Sequence, residues 1–193
     1  MLLGFVSPSL LFATDDQGGE TNKVDSQGRK QGKWIYLGKD RPESGFPVDG
    51  KIEEGPYLDD RKEGIWIKYH NDGVTPKLKG EYHNNRPSGK YTKLYPDGTI
   101  REVGSFERNK YSDSLKRFHE NGVLEYEANY NESGKEQGIV KYYYPNGQEE
   151  FVFESQNGIP TGKASRYYEN GDVKEIIYYA ADGSIDRSEQ REM

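Results

Sequence analysis

Glycine recurs along this chain at intervals that leave few choices of fold. The stretch Ser88-Gly89-Lys90-Tyr91-Thr92-Lys93-Leu94-Tyr95-Pro96-Asp97-Gly98 returns nearly to the end: a Gly, about six residues rich in aromatics, an Asn/Asp-Gly pair, and a second extended run. The frame opens at Gly64, Gly89, Gly138 and Gly162, and Asp113 takes the place of the leading Gly in one copy. The closing glycines are Gly73, Gly98, Gly122, Gly147 and Gly171, in steps of 25, 24, 25 and 24 residues. A near-constant period of this size marks a repeat array, in which each unit buries its apolar face only against its neighbours.

Each copy is expected to be a β-hairpin, because Asn-Gly and Asp-Gly between extended runs favour two-residue turns with positive φ at both centres. Counting outward from Asn170-Gly171 pairs Tyr168 with Val173, Tyr167 with Lys174 and Arg166 with Glu175. The same count pairs Tyr95 with Ile100, Lys93 with Glu102, and Tyr142 with Phe151. Opposite charges and matched aromatics then face one another, at about 0.2–1 kcal/mol per pair. Two apolar columns stand out after the leading Gly: Trp34, Trp66, Tyr91, Leu115, Val140 and Ala164 at the second position, and Leu37, Tyr69, Leu94, Phe118, Tyr143 and Tyr167 at the fifth. Their parity is opposite, so either the strand is bulged or both faces carry side-chain ladders. No run sustains helical spacing. The fold expected is all-β, a repeat array of antiparallel β-hairpins forming an elongated, twisted, largely single-layer sheet.

Composition fits a thin sheet better than a thick core. Hydrophobic residues are 32% of the chain and charged residues 31%, which alone would suggest partial disorder. The 16 tyrosines counter that inference, since Tyr buries its ring while its hydroxyl stays in water. A net charge of −6 argues against a broad surface for nucleic acid or anionic lipid, and no nucleic-acid partner is expected. With no Cys there is neither disulfide nor thiolate chemistry.

Residues 1–13 are apolar, and Ala13 is followed by Thr14-Asp15-Asp16, which resembles the later part of a secretory signal without its basic start. They are too few for a membrane span. Export, to the envelope or beyond, is the expected location, with the cytoplasm as the alternative. Residues 14–27 read as a linker, 28–186 as the array and 187–193 as a charged, frayed tail. In the first copy Gly50 follows Gly32 by 18 residues instead of nine, so about nine residues around Lys39 to Phe46 form an inserted surface loop.

The column just before the turn, His70, Tyr95, His119, Tyr144 and Tyr168, is the leading candidate contact surface, against the simpler reading that it only holds the sheet together. A basic column, Lys68, Lys93, Arg117 and Arg166, could hold phosphate or an acidic partner, or simply pair with Glu102 and Glu175. The histidines are too far apart along the array to share a metal, and neither metal nor cofactor is expected. Carboxylates are abundant, but no Ser-His-Asp pattern, phosphate loop or dinucleotide fingerprint accompanies them. No catalytic residue is assigned, and the chain is read as no enzyme.

The signature Gly-x-Trp/Tyr-x-x-Tyr-Tyr/His-x-Asn/Asp-Gly, six times between Gly28 and Gly183, resembles the variant MORN repeat of bacterial proteins, many of them labelled as YwqK-type antitoxins. The resemblance implies side-by-side hairpins in a trough-like sheet, and a scaffold or interaction module, in some cases for phospholipid head groups. The functional expectation is a non-enzymatic module that binds another protein, in the antitoxin-type case a toxin. The alternative is a binder of envelope glycan or phospholipid head groups.

Overall fold

In this computed structural model, which describes residues 20–191, every copy contributes two strands in chain order. They are β1 (Lys23–Val24), β2 (Lys30–Leu37), β3 (Lys51–Leu58), β4 (Arg61–Lys62), β5 (Gly64–Tyr69), β6 (Pro76–His83), β7 (Arg86–Leu94) and β8 (Ile100–Glu107). There follow β9 (Lys110–Phe118), β10 (Leu124–Tyr130), β11 (Gly138–Tyr143), β12 (Glu149–Gln156), β13 (Ile159–Tyr167), β14 (Val173–Tyr179) and β15 (Ile185–Gln190). All fifteen lie in one antiparallel sheet, open at both ends, in sequence order except that β4 pairs only with β3. The hairpin array expected from the glycine period is therefore what the chain forms. The signal-like residues 1–13 lie outside the described residues.

The turns differ from expectation in kind. At the glycine turn of β7–β8, Gly98 N donates to Tyr95 O (2.9 Å) and Tyr95 N to Thr99 O (2.8 Å), enclosing three residues. Gly98 alone has positive φ (+86°), as in a type I turn followed by a left-handed residue. Pro96 explains why: at the first corner its ring fixes φ near −65°, and Asp97 Oδ1 accepts from Thr99 N (2.8 Å). The two-residue turns with both φ positive occur instead between copies, at Asp59-Asp60, Asn84-Asn85, Arg108-Asn109 and Asn157-Gly158.

The longer turn moves the first pair by one residue, and a bulge moves it back. Leu94 pairs with Ile100 and Tyr167 with Val173, so the expected pairs Tyr95–Ile100, Tyr168–Val173 and Tyr167–Lys174 do not form. One residue of the second strand is then skipped, after which Lys93–Glu102, Tyr142–Phe151 and Arg166–Glu175 pair as expected. The skipped residues are Ile52, Lys77, Arg101, Glu125, Glu150 and Lys174, one per copy. Because the bulge sits on the second strand, the first keeps its alternation. The two apolar columns therefore lie on opposite faces, and both faces carry ladders. On the back face, Tyr143 Oη donates to Glu127 (2.8 Å), and Tyr69 Oη donates to Glu54.

The other face holds the core, and its packing follows a rule of complementary size. Along the first strands the second position shrinks from Trp34 and Trp66 through Tyr91 and Leu115 to Val140 and Ala164. Opposite them on the second strands stand Gly55, Gly80, Gly104, Ala128, Phe153 and Ile177. Each large ring lies over a glycine, and each small residue meets a large partner. Trp66, Val140 and Ala164 are 0% exposed although among the described residues no second layer covers them. Rings from adjacent strands supply the cover, as in the stack Tyr91–Phe106–Tyr111–Tyr130, with centroids 4.7, 5.0 and 5.1 Å apart.

The leading residue of each copy adopts the left-handed conformation, Gly89 at φ +86° and Asp113 at +56°. Asp is among the few side chains that tolerate this region, so the departure at Asp113 keeps the backbone of its neighbours. The array also runs past its expected limits. Within the expected linker, Lys23 and Val24 pair with β2, and the Asn22 side chain bonds Ile35 N (2.7 Å) and Ile35 O (3.0 Å) as a further strand would. Within the expected tail, residues 187–190 belong to β15, where Arg187 lies 4.0 Å over the Tyr178 ring.

Candidate binding groove

The column before the turn is a row of clasps. Tyr95 Oη donates to Phe118 O (2.7 Å) and Tyr144 Oη to Tyr167 O (2.9 Å). His70 Nε2 meets Leu94 O (3.1 Å) and His119 Nε2 meets Tyr143 O (2.7 Å). A carbonyl only accepts, so each imidazole carries its proton on Nε2. Each clasp crosses to the next copy and ends on the residue just before that copy's own column member. The position thus selects for a ring with a donor at its far end, which Tyr and His share. Burial moves the Tyr95 and Tyr144 hydroxyl pKa upward. Tyr168, in the last full copy, has Lys174 5.4 Å over its ring. All five rings stay half-buried, and four of the five polar tips are used between copies.

The basic column lies in one cross-strand row with its acids and with aromatic rings. On the core face the row runs Tyr36, Glu53, Lys68, Leu78, Lys93, Glu102, Arg117, Tyr126, Tyr142, Phe151, Arg166 and Glu175. Lys93 Nζ lies 2.7 Å from Glu102, and Arg117 and Arg166 lie 3.9 Å from Glu102 and Glu175. Arg117 and Arg166 also cover the rings of Tyr126 and Phe151 at 4.5 and 4.7 Å. Lys68 is paired across the sheet with Glu53, which Lys62 (2.7 Å) and Arg41 (3.2 Å) also neutralise.

The buried carboxylates Glu53, Glu54 and Glu102 are all held ionised. Burial would raise each pKa, but hydrogen bonds outweigh it: from Lys62 for Glu53, from Tyr69 and Lys51 for Glu54, and from Lys93 and Tyr91 for Glu102. Glu53 and Glu54 are neighbours in one strand and point to opposite faces. Glu102 shares the face of Glu53 but lies four strands away, about 19 Å at ~4.8 Å per strand. Glycoside hydrolysis needs two carboxylates about 5–9 Å apart, one of them with a raised pKa. Among the described residues no three His, Asp or Glu side chains converge as metal ligands.

What the sequence reasoning did not single out is the bulge row. In a bulge the extra side chain leans the same way as its neighbour, so this row borders the core face on the turn side. With core-face residues it lines two separate hollows near the turns. The one near the C-terminal end is about 190 Å³, and Glu150 lines it together with Arg166 and Lys174. The one beside the inserted loop is about 430 Å³. The loop, with single 3-10 turns at Gly38–Asp40 and Pro42–Ser44, folds back through Gly38 N to Gly50 O (2.9 Å) and Lys39 N to Val48 O (2.8 Å). This brings Phe46 to the hollow as a wall, with Ile52 and Leu78. The signal available in sequence was the charged residue one place before the paired acid, Arg101 before Glu102.

An open antiparallel hairpin array whose polar groups are bonded between copies, with a hollow where the period breaks, is a repeat scaffold in class. The MORN repeat variant matches residues 114–132, 136–148 and 160–181, so this part of the chain is similar to that repeat. The earlier copies share the strand pairing and bulges of the matched ones. No curated protein shows significant similarity to the chain. MORN repeats generally serve as binding or scaffold modules.

Proposed function

We propose that the chain is a non-enzymatic binding module that holds another protein in the hollow beside its inserted loop. The observation that carries this reading is the concavity of about 430 Å³ lined by Phe46 of the inserted loop. It sits where the insertion interrupts an otherwise regular surface. The ionised state and wide separation of the buried carboxylates favour binding over hydrolysis. In the antitoxin-type setting that the repeat resembles, the partner is a toxin polypeptide. The site of action is proposed to be outside the cytoplasm, which N-terminal sequencing of the protein from cell fractions would test.

A photo-crosslinking residue at Phe46 of the full chain, compared with one at Ser165 on the back face, tests the reading. One protein captured from envelope or cytosolic fractions at Phe46 alone is the expected result. Equal labelling at both positions, or no protein captured at either, refutes it. The phospholipid reading through the basic column loses ground to the pairing of that column. Salt-sensitive flotation with anionic vesicles would restore it.

A further inference from the structure

The hollow beside the inserted loop has a charge opposite to that of the protein as a whole. The chain carries −6, yet this hollow is lined by Lys68, Lys77, Lys93 and Arg101 and by no carboxylate. Of the two acids behind it, Glu53 is neutralised by Lys62 and Arg41, and Glu102 by Lys93 at 2.7 Å with Arg117 at 3.9 Å, so the surplus lies with Lys77 and Arg101. Lys77 and Arg101 are exposed bulge residues and form no ion pair among the described residues. A surplus of cations therefore surrounds an apolar floor of Phe46, Ile52 and Leu78.

We infer that this hollow recognises a short acidic segment of a partner protein that carries an apolar side chain between its carboxylates. The inference rests on the binding-module reading and adds the chemistry of the partner. The apolar side chain would enter between Phe46 and Leu78. The flanking carboxylates would meet Lys77 on one side and Arg101 on the other, which stand in adjacent copies. A simple polyanion would leave the apolar floor uncovered, and an apolar peptide would leave two cations desolvated without partners. At the C-terminal end Glu150 cancels the field, so the second hollow should not accept the same segment.

The test uses the full chain and a fluorescein-labelled peptide, Glu-Glu-Leu-Phe-Glu-Glu, read by anisotropy. Saturable binding is expected, weakened at least tenfold by Lys77→Glu with Arg101→Glu and at least threefold by Phe46→Ala, and unchanged by Lys174→Glu. Both charge substitutions are at exposed positions, and circular dichroism of each variant checks the fold. Amide shifts of Leu78 and Leu94 on titrating the unmodified protein give a reading that needs no variant. Equal affinity for a peptide with Ser-Ser in place of Leu-Phe overturns the inference, as does tighter binding of oligothymidylate of matched charge. Binding that ignores the Lys77→Glu, Arg101→Glu variant, or none up to about 1 mM, also overturns it. If that variant still crosslinks its protein at Phe46, the partner chemistry is wrong and the binding-module reading stands. If nothing crosslinks in the unmodified chain, the broader reading has failed.

Discussion

The size rule across the core face can be tested at Gly55, where it is tightest. A Cβ at this position would lie 2.6 Å from Trp66 Cγ, inside contact distance, and Gly55 has an ordinary extended backbone, so the obstacle is steric alone. Trp66 cannot easily retreat. It is 0% exposed, its Nε1 donates to Pro56 O (2.9 Å), Lys62 sits 3.8 Å over its ring, and Tyr57 meets it edge-on at 5.0 Å. Gly55→Ala alone should therefore cost about 1–3 kcal/mol, the usual range for overpacking. Trp66→Leu alone should cost about 2–4 kcal/mol, through lost burial and the cavity left behind.

The chain itself contains a combination of this size, because Leu115 faces Ala128 within its own hairpin, whereas Trp66 and Gly55 meet between copies. Gly55→Ala with Trp66→Leu brings the same two residue types together, and the clash disappears with the indole. The double variant should be no less stable than Trp66→Leu alone, a coupling of about 1–3 kcal/mol in a double-mutant cycle. Urea unfolding followed by far-UV circular dichroism gives the global transition. Trp34, 5.7 Å from Tyr57, remains as a local fluorescence probe, and agreement of the two checks that a single transition is being measured. If the two substitutions add to within about 0.5 kcal/mol, ring and glycine are not coupled and the reasoning from size fails.

Three other outcomes are expected. Tyr95→Phe keeps the ring but loses the bond to Phe118 O, and should cost about 0.5–1.5 kcal/mol in urea unfolding, whereas no change would mean the clasp is idle. Asp113→Gly relieves a left-handed Cβ at φ +56° and should stabilise by about 0.5–1 kcal/mol, while Gly89→Ala, at φ +86° and against Glu81, should destabilise; thermal melts with the opposite order would refute the strain argument. Glu53, Glu54 and Glu102 have folded pKa values below their ordinary value of about 4.5, so their stabilisation is complete above that pH and lost as pH falls through the lower folded values. Glu102→Gln should lower stability at neutral pH and flatten its decline below about pH 4.5, measured by urea midpoint against pH; an unchanged slope would show that Glu102 does not contribute.

Period, strand order and the outer register were legible because each is a property of spacing. Lys93 meets Glu102 whether the turn holds two residues or three, since the extra turn residue and the bulge cancel. That cancellation hid the bulge, and with it Lys77 and Arg101. Tyr-Pro-Asp-Gly was the overlooked clue: a proline at the first corner cannot adopt the positive φ of the turn expected there. The rule of size was also present in the sequence as two columns, but only the strand partners revealed in the fold set Gly104 beside Tyr91 and Leu115.

The clasp column shows why chemical type alone does not place a site in an array. A regular row of Tyr and His looks like a contact surface, yet regularity is what contact between identical copies requires, and four of its five polar tips end on a neighbouring copy's carbonyl. Recognition of a partner calls for a place where the copies differ. In this chain they differ most at the inserted loop and along the bulge row, which runs Ile52, Lys77, Arg101, Glu125, Glu150, Lys174 and so changes sign along its length. The strands and clasps are held in common by all copies, which makes them the scaffold. The irregular residues laid over them carry the information that could distinguish one partner from another.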